Sequence, residues 1–310
     1  MTLKSFWQLP KDIATQWFED DPFQQAAALS YYTLFSLAPI LIIAIAVAGL
    51  FFGREAATDQ IVATLQGLMG PQTAKAVQEM VQNASNKPTT GIVSTAAGIG
   101  VLIFGAGGVV GQLQSSLNRI WGVTALPGKG ILSFVRERFI SFAMILGVGF
   151  LLLVSLVITT ILSYLTVYIG RFIGGAAVIA SLLDVVVSFG FVTVLFGMIY
   201  KFLPDVRSQW RDVWIGAALT SFLFTLGKFL IGLYLGTSGV TSSFGAAASL
   251  ITVLLWVYYS SLIFFFGAEF TQIYASRYGS GGVPAENAVP INSIPESARR
   301  QSPPPERRSA

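Results

Sequence analysis

The sequence predicts an all-α, polytopic membrane protein with six transmembrane helices and both termini cytoplasmic. Three observations carry this. Of the 310 residues, 54% are hydrophobic and only 11% are charged, whereas soluble domains carry about 25% charged residues. Six stretches can each cross a bilayer core, which needs about 20 predominantly apolar residues per helix. They run over 27–52, 91–112, 139–168, 176–200, 213–235 and 247–272. Finally, Lys and Arg divide unevenly between alternate connections. Fourteen fall in the N-terminal segment, the second and fourth connections and the C-terminal segment, against Arg54, Lys75, Lys87 and Arg171 in the others. The cation-rich side is the cytoplasmic one.

The segments follow in order. Residues 1–21 put Phe6, Leu9, Ile13 and Trp17 at helical spacing, as in an amphipathic helix lying at the membrane interface. Their charges, Lys4, Lys11, Asp12, Glu19, Asp20 and Asp21, leave no central apolar run, so no cleavable signal peptide is expected. Asp21 and Pro22 suit the cap and first turn of a helix, opening a membrane domain over 22–278. Its first helix carries Ser30, Tyr31, Tyr32, Thr33 and Ser36 before Pro39. Proline frees a backbone carbonyl and kinks a helix, and nearby hydroxyls re-satisfy it. The pattern reads as a structural kink or as a gate or binding surface.

Residues 54–88 form the long outer connection. Ile61, Leu65 and Leu68, then Ala76, Val77, Met80 and Val81, predict two amphipathic helices broken at Gly70-Pro71. Such a hairpin caps the membrane domain or lies on the outer leaflet. In the glycine-rich second span, Ala96 with Gly100 and Gly107 with Gly111 give the small-residue spacing of close helix packing. The run from Gly105 to Gly111 misses the dinucleotide fingerprint and lies within a membrane span, which argues against a cofactor. The third span is long enough to tilt. Beyond residue 278 the composition turns to Gly, Ser, Pro, Glu and Arg, predicting a disordered cytoplasmic tail over 279–310.

Three charges interrupt the spans: Asp184, Lys228 and Glu269. An isolated charge at the bilayer centre costs about 2.5–3.5 kcal/mol on insertion scales, so such residues face the bundle interior and pair. Counting the helical rise from the outer ends of the fourth and fifth spans puts Asp184 and Lys228 at one depth, about 12 Å in. Ser181, Asp184 and Ser188 line one stripe of the fourth span, and Ser221, Thr225 and Lys228 one stripe of the fifth. Asp184 and Lys228 are therefore expected to be partners, as a structural staple or on a transport path. Glu269 lies near the cytoplasmic end of the last span, where a salt bridge to Arg119, Arg136, Arg138 or Arg211 is expected.

Histidine and cysteine are both absent. Disulfides, thiolate nucleophiles, the usual zinc ligands and imidazole acid–base chemistry are thereby excluded. No metal, cofactor or catalytic residue is expected. The net charge of +4 reflects contact with anionic headgroups instead of nucleic acid.

Several segments together resemble the YihY/BrkB family of bacterial inner-membrane proteins. They are AAALSYYTLFSLAPIL at 26–41, QLQSSLNRIWGV at 112–123, YKFLPD at 200–205 followed by Trp214-Ile215-Gly216-Ala217, and the stretch from Phe244 to Ala275. The resemblance covers roughly 12–278 and implies a six-helix, multi-pass protein with both ends cytoplasmic. It also implies a role in envelope lipid transport or serum resistance. Many members bear a ribonuclease BN label, against which the missing histidines and the scant soluble structure argue.

The function expected is a transporter or lipid translocator with membrane lipids as partners and a lipid or small molecule as substrate. Path candidates are Tyr31, Tyr32, Ser36, Pro39, Ser181, Asp184, Ser188, Ser221, Thr225 and Lys228, with Trp256, Tyr258 and Tyr259 beside them. The alternative is a non-transporting scaffold for envelope assembly, in which these charges are internal staples. An intramembrane enzyme fits poorly, since Ser221 and Lys228 stand two helical turns apart.

Overall fold

The computed structural model describes residues 3–85, 108–125, 176–237, 247–286 and 288–293. Helices dominate: α1 (Leu3–Glu19), α2 (Pro22–Phe52), α3 (Arg54–Met69), α4 (Pro71–Ser85), α5 (108–120), α6 (Ala176–Phe202), α7 (Trp210–Thr237) and α8 (Ala248–Tyr278). Among the described residues, three stretches are long and apolar enough to cross a membrane, Val185–Phe202, Trp210–Thr237 and Ala248–Tyr278. The first predicted span falls inside the 31-residue α2, which is continuous across Pro39. The third predicted span and most of the second lie outside the described residues.

α8 is the central element and packs against α7, α2, α4 and α1, while α6 packs on α7. Close approach of α7 and α8 rests on two glycines. A methyl group at Gly216 would meet Thr271, and one at Gly267 would meet Thr220. Between them the buried Tyr200 hydroxyl lies 3.0 Å from Thr220 Oγ1 and donates to the Phe264 carbonyl at 2.7 Å. This answers the rule that a tyrosine hydroxyl taken into a core finds a partner. On α5 the close contact belongs to Gly108, against the ring of Tyr32, whereas Gly111 faces open space.

The hairpin α3–α4 breaks at Gly70-Pro71, with Gly70 at φ 80°, a left-handed value that suits glycine. It neither caps the bundle nor lies flat on its surface. Met69, Ala76 and Val77 form a core with Val253 and Val257 of α8, packed also by Leu34, Leu37 and Leu41 of α2. The hairpin is inserted among α2, α7 and α8.

The start of α2, the ends of α1, α5, α6 and α8, and the start of α7 gather at one end of the bundle, here called the terminal end. They are the described parts of the four segments that the charge count assigns to a single side. After α8, where the sequence suggests a disordered tail from residue 279, residues 279–286 and 288–293 carry further described structure at this end. β3 (Val283–Pro284) pairs antiparallel with β2 (Val206–Arg207), and β4 (Ala288–Pro290) with β1 (Val123–Ala125). Val123, Val206 and Ala288 bury together against Trp121. Backbone pairing and this small core hold a composition that lacks the apolar periodicity of a helix.

Candidate functional site

Two polar regions stand out, one at mid-height and one at the terminal end. The first centres on Lys228. Its Nζ donates to the carbonyl of Gly67 at 2.7 Å, and the backbone explains why that oxygen needs a donor. Carbonyls in the last turn of a helix have no intrahelical partner. The Gly70 N–H closes on Gln66 at 3.1 Å, but the residue four beyond Gly67 is Pro71, which has no N–H. Lys228 supplies the missing donor, and its charge sits at the negative end of the α3 dipole. It lies nine residues from the Thr237 end of α7, about 14 Å at the helical rise.

The expected partnership with Asp184 is not described, because the side chains of Asp184 and Ser181 lie outside the described residues. Ser221 on α7 is fully buried and donates to the Phe189 carbonyl of α6 at 3.4 Å. This contact aligns the antiparallel helices so that Lys228 falls within a turn of the level of Asp184. Ser188 and Thr225 are exposed, and Thr225 satisfies its hydroxyl on the Ser221 carbonyl at 2.8 Å. On α2, Ser36 is buried and turns back to Thr33 at 3.2 Å. Tyr31 and Tyr32 are exposed, edge to face with centroids 5.9 Å apart. The side chain of Pro39 is outside the described residues. Trp256 packs on Phe224 and belongs with the α3–α4 core, Tyr258 packs on the terminal-end core, and Tyr259 lies beside Gly227.

At the terminal end Glu269 makes no salt bridge among the described residues. Arg119 pairs with Asp21 at 2.8 Å and Asp20 at 3.5 Å. Arg211 is exposed on the first turn of α7, and Arg136 and Arg138 lie outside the described residues. Glu269 is 1% exposed, and among the described residues its Oε2 has no hydrogen-bond partner. The turn between α1 and α2 gives Arg119 the carboxylates of Asp20 and Asp21 instead. Asp21 adopts φ 50°, ψ 53° and makes no side-chain cap to α2, because Arg119 takes its carboxylate. Burial pushes the Asp20 carboxyl above its ordinary value of 3.8, Arg119 pulls it back through charge and hydrogen bond, and Glu19 and Asp21 push it up further.

Around this turn α5 acts as a two-sided clamp. Ser116 donates to Gln25 Oε1 at 2.6 Å and Gln112 donates to the same oxygen at 2.9 Å. On its other side Asn118 Nδ2 donates to Asp205 at 2.8 Å, the Asp205 N–H returns to Asn118 at 2.7 Å, and Gln114 adds a bond at 3.2 Å. The chain after α8 joins through Asp212, 2% exposed, which accepts from the N–H and hydroxyl of Ser280 at 2.9 and 2.8 Å. The sequence reading overlooked these residues. Their signal lay in QLQSSLN, where 112 with 116 and 114 with 118 are polar pairs at helical spacing on two adjacent faces. Among the described residues, no three acidic, histidine or cysteine side chains gather as a metal site.

The YKFLPD and QLQSSLNRI segments thus meet each other. The model of the family described as virulence factor BrkB matches residues 13–292, reaching past α8 to include β3 and β4. A UPF0761 membrane protein of Saccharophagus degradans is 28% identical over 257 residues, covering 82% of this chain and 56% of the relative. One of Halorhodospira halophila is 29% identical over 272 residues, covering 87% and 58%. One of Pseudoalteromonas translucida is 26% identical over 257 residues, covering 82% and 81%. The chain thus spans somewhat over half the length of the first two relatives. No solved structure matches. The chain is an integral membrane protein and belongs to the virulence factor BrkB family.

Proposed function

We propose that this protein is a multi-pass transporter or lipid translocator of the bacterial inner membrane, with six spans and both termini cytoplasmic. The observation that carries the reading is the position of Lys228 against the inserted α3–α4 hairpin. Helices that end at mid-depth survive only where they are buried in protein or line a hydrated cavity. Transporters build substrate sites at such breaks, with helix ends and a few charges facing the cargo. Here the C-terminal end of α3, the N-terminal end of α4 and an ammonium group converge about 14 Å from the end of α7. A phosphate or carboxylate headgroup is the chemistry that would replace the Gly67 carbonyl as the partner of Lys228. Membrane lipids are the natural partners, and neither nucleic acid nor catalysis belongs to this reading.

A second reading, a non-transporting scaffold for envelope assembly, draws support from the way Ser221, Thr225 and Lys228 each satisfy themselves on a backbone carbonyl. Reconstitution separates the two. Purified protein in liposomes carrying labelled phospholipids, a lipid A precursor or small anionic solutes moves one of these cargoes if it is a transporter. A correctly inserted scaffold leaves every cargo at the rate of protein-free vesicles.

A further inference from the structure

The turn between α1 and α2 closes over α8 around a cavity of about 10 Å3, lined by Trp17, Asp20, Gln25, Ser116, Phe265 and Glu269 among others. That volume is about the least that accepts one water molecule. Asp20 and the buried Glu269 both line this one small cavity. Two ionised carboxylates facing one space of that size repel, and the usual resolution is one shared proton.

We propose that Asp20 and Glu269 form a proton-binding site, holding a single proton between them at the terminal end of the bundle. The charges facing the pair are named readily. From the α1–α2 turn come Glu19 and Asp21, both acidic. From α5 comes Arg119, bound to Asp20 and Asp21. On α8 the next cation, Arg277, lies two turns on and is paired with Asp12. The α2 residues at the cavity, Pro22 and Gln25, carry no charge. Among the described residues Glu269 has no cationic partner. Among the described residues Glu269 Oε2 and Trp17 Nε1 are both buried without a hydrogen-bond partner and belong to residues lining this cavity. A proton carried on the pair would serve the carboxylate oxygen, and a water beside it would accept from the indole N–H.

Loss of the proton leaves two buried anions facing each other and weakens the docking of the α1–α2 turn on α8. The proton site itself stands apart from the transport reading. Only its use as a coupling ion rests on that reading.

Infrared difference spectroscopy of the full chain in lipid nanodiscs, titrated with pH, tests the proposal. A protonated-carboxyl C=O band should persist at neutral pH, disappear on alkalinisation and be lost in both Glu269→Gln and Asp20→Asn. Glutamine mimics the protonated acid, so Glu269→Gln should fold, and Asp20→Asn checks the same proton from the other side. A band absent from the wild type, or unchanged in both variants, overturns the assignment. So does a band abolished by sodium at constant pH, which would mark a metal-cation site. Flux measured in parallel keeps the two proposals apart. A band without flux preserves the proton site and removes the transport reading, whereas flux without a band does the reverse.

Discussion

Lys228 donates to the carbonyl of Gly67 at 2.7 Å, the oxygen that Pro71 leaves without a helical partner. A charge that looks anomalous in the apolar stretch SFLFTLGKFLIGLYLG therefore closes the end of another helix inside the membrane domain. Lys228→Met should lower stability by about 1 kcal/mol, the net worth of a typical intramolecular hydrogen bond, since the contact is an exposed one. Lys228→Arg should retain most of it. Thermal denaturation in detergent, with protease sensitivity around residues 66–72, checks both, and equal stability of Lys228→Met and wild type would contradict the cap.

The pairing of α7 with α8 gives a contrast between glycines. Gly267→Ala drives a methyl group into Thr220, and into the Tyr200 hydroxyl beside it, while Gly232→Ala meets nothing within 4 Å. Overpacking costs about 1–3 kcal/mol, so the first substitution should reduce folded yield and melting temperature. The second should be neutral or slightly stabilising, since alanine is the better helix former. Comparable losses at both positions would argue against the helix contact.

Asp20 sets a pH dependence whose sign follows from its environment. Its folded carboxyl titrates above the ordinary 3.8 because of burial, so the folded chain binds more protons than the unfolded one in the interval above that value. Stability contributed by this group is therefore full below 3.8 and falls as pH rises through the interval. Asp20→Asn should flatten that part of the melting-temperature profile. An unchanged slope would remove Asp20 as its source.

The chain after α8 works as a strap across the terminal end. Ending the protein at Gly279 removes both hydrogen bonds from Ser280 to the buried Asp212 and both strand pairs. Leaving a buried carboxylate without partners costs at least about 1–3 kcal/mol. A chain ending at Ser293 keeps all of these contacts and should match the full-length melting temperature, whereas one ending at Gly279 should not.

The apolar runs made the membrane class and the long helices α2, α6, α7 and α8 legible, because lipid demands length and hydrophobicity within one contiguous segment. The Gly70-Pro71 break was legible for a local reason, the residue chemistry of the turn. The insertion of α3–α4 was not, since an amphipathic helix shows that it has a buried face without showing what covers it. The bond from Lys228 to the Gly67 carbonyl was not legible either, since a backbone carbonyl is a group every residue carries and no motif advertises. For Glu269 the sequence offered several arginines on one side, of which Arg119 is taken by Asp20 and Asp21 at the left-handed turn that no sequence pattern announces. The ordered strap escaped notice because short strands held by backbone pairing need little hydrophobic pattern.

The most direct measurement compares cargo movement by wild type and Lys228→Met in liposomes, at matched insertion and with folding verified independently. Lys228→Arg serves as the charge-conserving control. Movement by wild type that falls at least tenfold in Lys228→Met and is largely restored in Lys228→Arg is the expected result. Equal movement by wild type and Lys228→Met would take Lys228 off any transport path, and no movement of phospholipid, lipid A precursor or anionic solute by wild type would favour the scaffold.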